Sequence, residues 1–168
     1  MNDSPFFFTH IGDIEQSALL DNPWKSDAEQ IHRHLSLLNA EEWSAYVLWP
    51  GPSGAKNIFD VDDSVYPITF LQAAGTKDRM TLEWKTNRDG TFRQYALGHG
   101  GSREGDPSEA VEFNNGETGV FVHPDELFEH EEAARIFVHF RLHEAPPAEY
   151  ALRNLGLRFT EDGKSAAT

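Results

Sequence analysis

The chain has 168 residues, 28 acidic against 14 basic side chains, a formal net charge of −14 and no cysteine. One domain with its own core is expected at this length, and disulfide or thiolate chemistry is excluded. The acidity argues against binding nucleic-acid phosphates or an anionic membrane surface and favours a basic protein partner, although acidity also serves solubility alone.

Hydrophobic residues make up 39% and aromatics 12%, enough for a packed core rather than disorder. No apolar run approaches the roughly 20 residues of a membrane-spanning helix. The opening "MNDSPFFFTH" has no basic segment before its short apolar run, so a signal peptide is not expected. A cytoplasmic location is the resulting expectation.

The first element is "SDAEQIHRHLSLL". Ser26 with Glu29 three residues later has the form of a capping box, and Ala28, Ile31, Leu35 and Leu38 recur at helical spacing. "SAYVLWP" (44–50) predicts a strand that ends in the turn-rich "PGPSG", and "YPITFLQAA" (66–74) predicts another. In "RMTLEWKTNRDGTFRQYAL", Met80, Leu82 and Trp84 alternate with Thr81, Glu83 and Lys85, and Asp89-Gly90 supplies a hairpin turn. "GHGGSREGDPSE" (98–109) is a Gly-rich polar loop, followed by two short strands around "NNGE".

A second helix follows. Ala133, Ile136, Phe137 and Phe140 are spaced for one face, with Glu129, Glu131 and Glu132 in the first turn, where the helix dipole favours negative charge. Pro146 and Pro147 are expected to stop it. "EYALRNLGLRF" (149–159) predicts a last strand. The order implies an α+β fold: a single domain over residues 1–160, mainly antiparallel sheet with two principal helices on one face. Residues 161–168 are expected to form a flexible tail.

Three stretches bear on chemistry. His139 and His143 stand at i, i+4 as in helical zinc sites, with Glu144 and His130 as further ligands if the fold brings them near. The spacing lacks the general-base Glu of H-E-x-x-H, and exposed helix-end histidines are the simpler reading. "DVDD" (Asp60, Asp62, Asp63) begins like a calcium loop but has Val65 and Leu71 where Gly and Glu belong. "GHGGSREG" has Arg103 where a dinucleotide loop has its third Gly, although His99 and Glu104 within it form a possible acid–base pair. No nucleophile motif is present, so no catalytic residue, metal or cofactor is assigned. Of the four tryptophans, Trp84 is expected in the core and Trp24 and Trp43 against the first helix; any left exposed is a natural interface anchor.

The linear order "DAEQIHRHLSLL", "ITFLQAAGTKDRMTLEW", "VEFNNGETG" and "VHPDELFEHEEAARIFVHFRLHEAPP" resembles the Imm1 family of bacterial immunity proteins over most of residues 26–155. The resemblance implies an antitoxin: a non-enzymatic protein that binds and blocks the active site of a cognate secreted toxin, often a nucleic-acid deaminase. A toxin acting on nucleic acid needs a positive surface, which a −14 protein complements. The partner-binding candidates are then the acidic loop residues Asp60, Asp62 and Asp63, the group Glu104, Asp106 and Glu109, and Glu112 with Asn114. A metal-dependent enzyme using His139, His143 and Glu144, and a non-catalytic regulatory binding domain, are the alternatives.

Overall fold

The computed structural model describes residues 4–113 and 116–166. Their elements are β1 (Phe6–Gly12), β2 (Gln16–Leu19), α1 (Asp27–Ser36), β3 (Trp43–Pro50), β4 (Phe70–Thr76), β5 (Arg79–Arg88), β6 (Thr91–Gly98), β7 (Glu109–Phe113), β8 (Thr118–Val122), α2 (His130–His143) and β9 (Ala151–Asn154). Seven strands form one antiparallel sheet in the order β2-β1-β3-β4-β5-β6-β9, and β7 and β8 form a separate ribbon. The α+β architecture with both helices on one face is therefore the observed one. Among the described residues, no helix is long and apolar enough to cross a membrane.

Period-two alternation divides the sheet. Tyr46, Leu48, Leu71, Leu82 and Trp84 meet Ile31 and Leu35 of α1 and Ile136, Phe137 and Phe140 of α2 in the main core. On the opposite face Phe7, Val47 and Trp49 form a second cluster, covered by Ile58, Val61 and Tyr66 from the connection 51–67. The first strand pair was not expected from the sequence. β1 is buried on both sides, so Phe6 and Phe8 enter one core and Phe7 the other, and its "FFF" shows a run rather than an alternation.

The local signals act as the sequence implies. Ser26 Oγ accepts from Glu29 N at 3.2 Å and Glu29 Oε2 accepts from Ser26 N at 2.8 Å, the reciprocal capping box. Ile31, Leu35 and Leu38 are buried as expected, whereas Ala28 is exposed and Gln30 is buried. Asp89 (φ 55°) and Gly90 (φ 78°) both take left-handed conformations in the two-residue hairpin turn. Glu129 is the N-cap of α2, accepting from Glu131 N and Glu132 N, and the helix closes at a left-handed Glu144 (φ 55°) ahead of the prolines.

Residues 159–166 do not trail from the domain. Phe159 bridges Ser165, Thr160 N donates to Lys164 O, and the buried Lys85 ammonium donates to Gly163 O while lying 4.6 Å from the Phe159 ring centre. Gly163 (φ 83°) sits where a Cβ would be 2.7 Å from the Phe92 ring, so the turn packs closely onto β6.

One cluster in the main core is polar. The rings of His10, His34 and Tyr46 lie 4.9–5.3 Å apart, and His10 Nδ1, His34 Nδ1 and Tyr46 Oη have no hydrogen-bond partner among the described residues. Burial holds both imidazoles at a pKa of about 4, and for His34 the neighbouring His10, Arg33 and Lys25 add to the effect. The unfolded chain takes up these protons near pH 6.5, and the folded chain only near pH 4. The stabilising effect is therefore complete above pH 6.5 and lost as pH falls toward 4. Urea titrations at about pH 7 and about pH 4.5 should show this loss, with His10 accounting for at most about 3 kcal/mol. His10→Phe should flatten the dependence; an unchanged pH profile in that variant would show that other groups cause it.

Candidate functional site

The connection 51–67 crosses the sheet face that the helices leave open. Its residues Ala55, Ile58, Val61 and Tyr66 pack inward onto the cluster of Phe7 and Trp49, which stack with ring centres 4.9 Å apart. Its polar residues are left outside. Asn57 Oδ1 accepts from Phe59 N at 2.9 Å and Asp60 Oδ2 from Lys56 N at 2.8 Å, capping a single 3-10 turn, Ile58–Asp60. Asp62 Oδ1 accepts from Ser64 N at 2.9 Å and from Ser64 Oγ at 2.6 Å, and these bonds hold its carboxyl below the usual range. The turn throws the Phe59 ring outward, where it is 92% exposed.

Between this loop and β1–β2 lies an open groove of about 750 Å³. Thr9 and Trp49 lie at its base, and Glu15, Phe59, Asp62 and Asp63 are among the residues that line it. The base is rigid, because Trp49 Nε1 donates to Thr9 Oγ1 at 2.9 Å and Thr9 Oγ1 is 2.8 Å from Ser17 Oγ. Of the sequence candidates, Asp62 and Asp63 line this groove and Asp60 shapes its rim. Charge alone identified these three. Phe59 and Glu15 were missed; a large aromatic inside a run of turn-forming Asn and Asp was the available signal.

The other candidates lie elsewhere. Glu104, Asp106 and Glu112 are exposed, on the β6–β7 connection and on β7, and do not line the groove. Glu109 is paired with Arg79 at 3.0 Å. Asn114 lies outside the described residues.

The Gly-rich loop after β6 is tied down by a buried ionic network. Glu126 is fully buried, and its carboxylate accepts two hydrogen bonds from Arg153 at 3.0 Å and one from His123 N at 2.8 Å, with Arg103 at 3.6 Å. Arg103 also grips Asp125 at 3.0 Å. Gly98 packs closely against this network: a Cβ there would press on Arg103 Nη2 and lie 2.7 Å from Asp125 Oδ2, so a larger residue would have to displace the ion pair. His99 pairs with Glu132, not with Glu104: its Nε2 is 2.8 Å from Glu132 Oε1, its Nδ1 is 2.8 Å from the Asp125 carbonyl, and its ring stacks on Phe128. Burial lowers the His99 pKa, but the two acceptors outweigh it and raise the net value. Two flanking acceptors favour the protonated imidazole, in which both nitrogens donate. Tyr150 Oη completes the set by donating to Glu132 Oε2 at 2.9 Å.

His139 and His143 lie with ring centres 4.3 Å apart, and His139 Nδ1 donates to the Ala145 carbonyl at 2.9 Å, fastening the chain beyond α2. Among the described residues, the histidines and carboxylates that converge with metal-ligand spacing are a different group, His32, His130 and Glu131. Trp84 and Trp49 are in the cores and Trp43 packs against the main one, whereas Trp24 does not pack on α1 and is 89% exposed.

Removing the Glu126 carboxylate leaves two arginines beside an uncompensated cavity. Glu126→Ala should lower unfolding free energy by about 3–5 kcal/mol, whereas Glu104→Ala should stay within about 0.5 kcal/mol of wild type. Chemical denaturation of both variants checks the contrast, and equal effects would contradict the network described.

Compared with known protein families, with curated proteins and with solved structures, the chain matches none.

Proposed function

We propose that this protein is an immunity protein of the kind its Imm1 resemblance implies. It is a cytoplasmic, non-enzymatic antitoxin that binds a cognate secreted toxin and blocks an active site with a basic, nucleic-acid-binding surface. The observation that carries this reading is an almost fully exposed phenylalanine, Phe59, set among carboxylates on the rim of an open groove. An exposed aromatic is costly to leave in water and is the kind of residue that anchors interfaces, and surrounding charge steers the encounter.

The distribution of charge supports the same reading. Arg79, Arg103, Arg141 and Arg153 are engaged with carboxylates of the same chain, and Lys85 is buried under the C-terminal turn. Asp62 and Asp63 in the groove loop and Glu104 and Asp106 on the β6–β7 connection are exposed to solvent in a chain whose formal net charge is −14. Carboxylates held on a rigid rim can occupy positions where a toxin would bind phosphates. His99 of the Gly-rich loop is engaged by two acceptors, the Asp125 carbonyl and the Glu132 carboxylate.

The direct test is co-expression with the protein encoded immediately upstream. Tight 1:1 binding with restored growth is expected, and absence of both would reject the antitoxin reading. Within the complex, Phe59→Ala should raise the dissociation rate about 30-fold, equivalent to about 2 kcal/mol. Replacing Asp60, Asp62 and Asp63 by Lys should slow association and weaken its dependence on salt. Stopped-flow binding separates the two effects, and unchanged rates in both variants would remove the groove from the interface.

A further inference from the structure

α1 and α2 pack side by side, and small residues let them approach closely on the solvent side, where Ala28 and Ala134 lie in a shallow groove with Val138. At this groove the exposed His32 of α1 meets His130 and Glu131 from the first turn of α2. One donor atom from each of the three lies within 4.8 Å of the other two. The imidazole rings of His32 and His130 are 5.3 Å apart between centres.

The orientation of His130 is what distinguishes this group from histidines that merely lie close. Its Nδ1 is 3.2 Å from the carbonyl oxygen of Lys77. A carbonyl only accepts, so Nδ1 carries the proton and the lone pair of the neutral ring is on Nε2. A backbone carbonyl that fixes the tautomer and aims the other nitrogen is the usual support of a metal-binding histidine. Tetrahedral coordination at bond lengths near 2.0–2.1 Å needs donors about 3.3 Å apart. His32 and Glu131 are exposed, so rotation of their side chains can close the remaining gap without moving backbone.

We propose that His32, His130 and Glu131 form a three-ligand site for a divalent transition-metal ion that clamps α1 to α2. Two imidazole nitrogens and one carboxylate suit zinc and disfavour calcium and magnesium, which take oxygen ligands. Water completes the fourth position. Glu129, whose Oε2 is 3.9 Å from His130 Nδ1, adds negative charge nearby, while Arg135 on the groove wall opposes it. The site is separate from His139 and His143, which lie toward the other end of α2.

The experiment is calorimetric titration of tag-free, full-length protein with zinc chloride in a non-chelating buffer, paired with thermal melts. One zinc per chain at micromolar or lower dissociation constant is expected, with a concentration-dependent rise in Tm and no comparable effect of calcium. His32→Ala and Glu131→Gln alter exposed side chains, so both variants should fold with the apo Tm of wild type. Both should bind zinc at least about tenfold more weakly. His143→Ala should bind as wild type. Absence of a one-zinc isotherm, or wild-type affinity in His32→Ala, would overturn the site, as would loss of binding in His143→Ala.

Discussion

Phe7 and Trp49 stack on the sheet face away from the helices, and something must cover them. The two helices are both used on the opposite face, so the cover is the connection 51–67. A loop can cover an apolar patch only by pointing its apolar side chains inward, here Ala55, Ile58, Val61 and Tyr66, and by satisfying its own backbone with short polar residues. Asn57, Asp60 and Asp62 do the latter. The carboxylates are thus on the outer rim for a structural reason before a functional one, and a large aromatic, Phe59, is displayed by the same turn. The proposed binding surface is a consequence of how the second core is closed.

The other end of the sheet is organised by charge. Glu126 is fully buried, and its arginine partners come from two places: Arg153 on the edge strand β9 and Arg103 in the loop after β6. A buried ion pair contributes little net stability relative to an apolar pair, but leaving one member unpaired costs several kcal/mol, so it selects one arrangement over others. It also engages two of the chain's arginines with its own carboxylates. Rigidity here and acidity there come from the same residues.

Much of this fold was legible wherever a signal is local. The capping box at Ser26 and Glu29, the Asp89-Gly90 turn, and the alternation through Met80, Leu82 and Trp84 each act over a few residues, and the structure has each of them. The strands that were missed, β1 and β2, lie in an open region of weak pattern: β1 is buried on both faces, and β2 is a short edge strand of exposed and half-buried residues. The C-terminal turn was missed because Lys85 and Phe92, which hold it, lie far away in sequence. The site divides the same way. Charge was enough to single out Asp60, Asp62 and Asp63, but the groove, the exposure of Phe59 and the pairing of His99 with Glu132 all depend on which elements the fold brings together. His32 and His130 are the clearest case, since nothing in either helix alone places them side by side.

The two proposed sites occupy opposite layers of the molecule. The groove with Phe59 lies over the Phe7 and Trp49 face, whereas His32, His130 and Glu131 lie on the helices that cover the other. A ligand at one site can alter affinity at the other only if it distinguishes two states of the intervening sheet. That sheet is packed on both faces, and its central strands β3 and β4 are held by antiparallel pairing on both edges. A metal clamp between the helices would therefore act on global stability and leave groove geometry alone. The same separation lets a partner seat itself on the acidic face while the helical face stays free, so loss of binding at either site leaves the other intact.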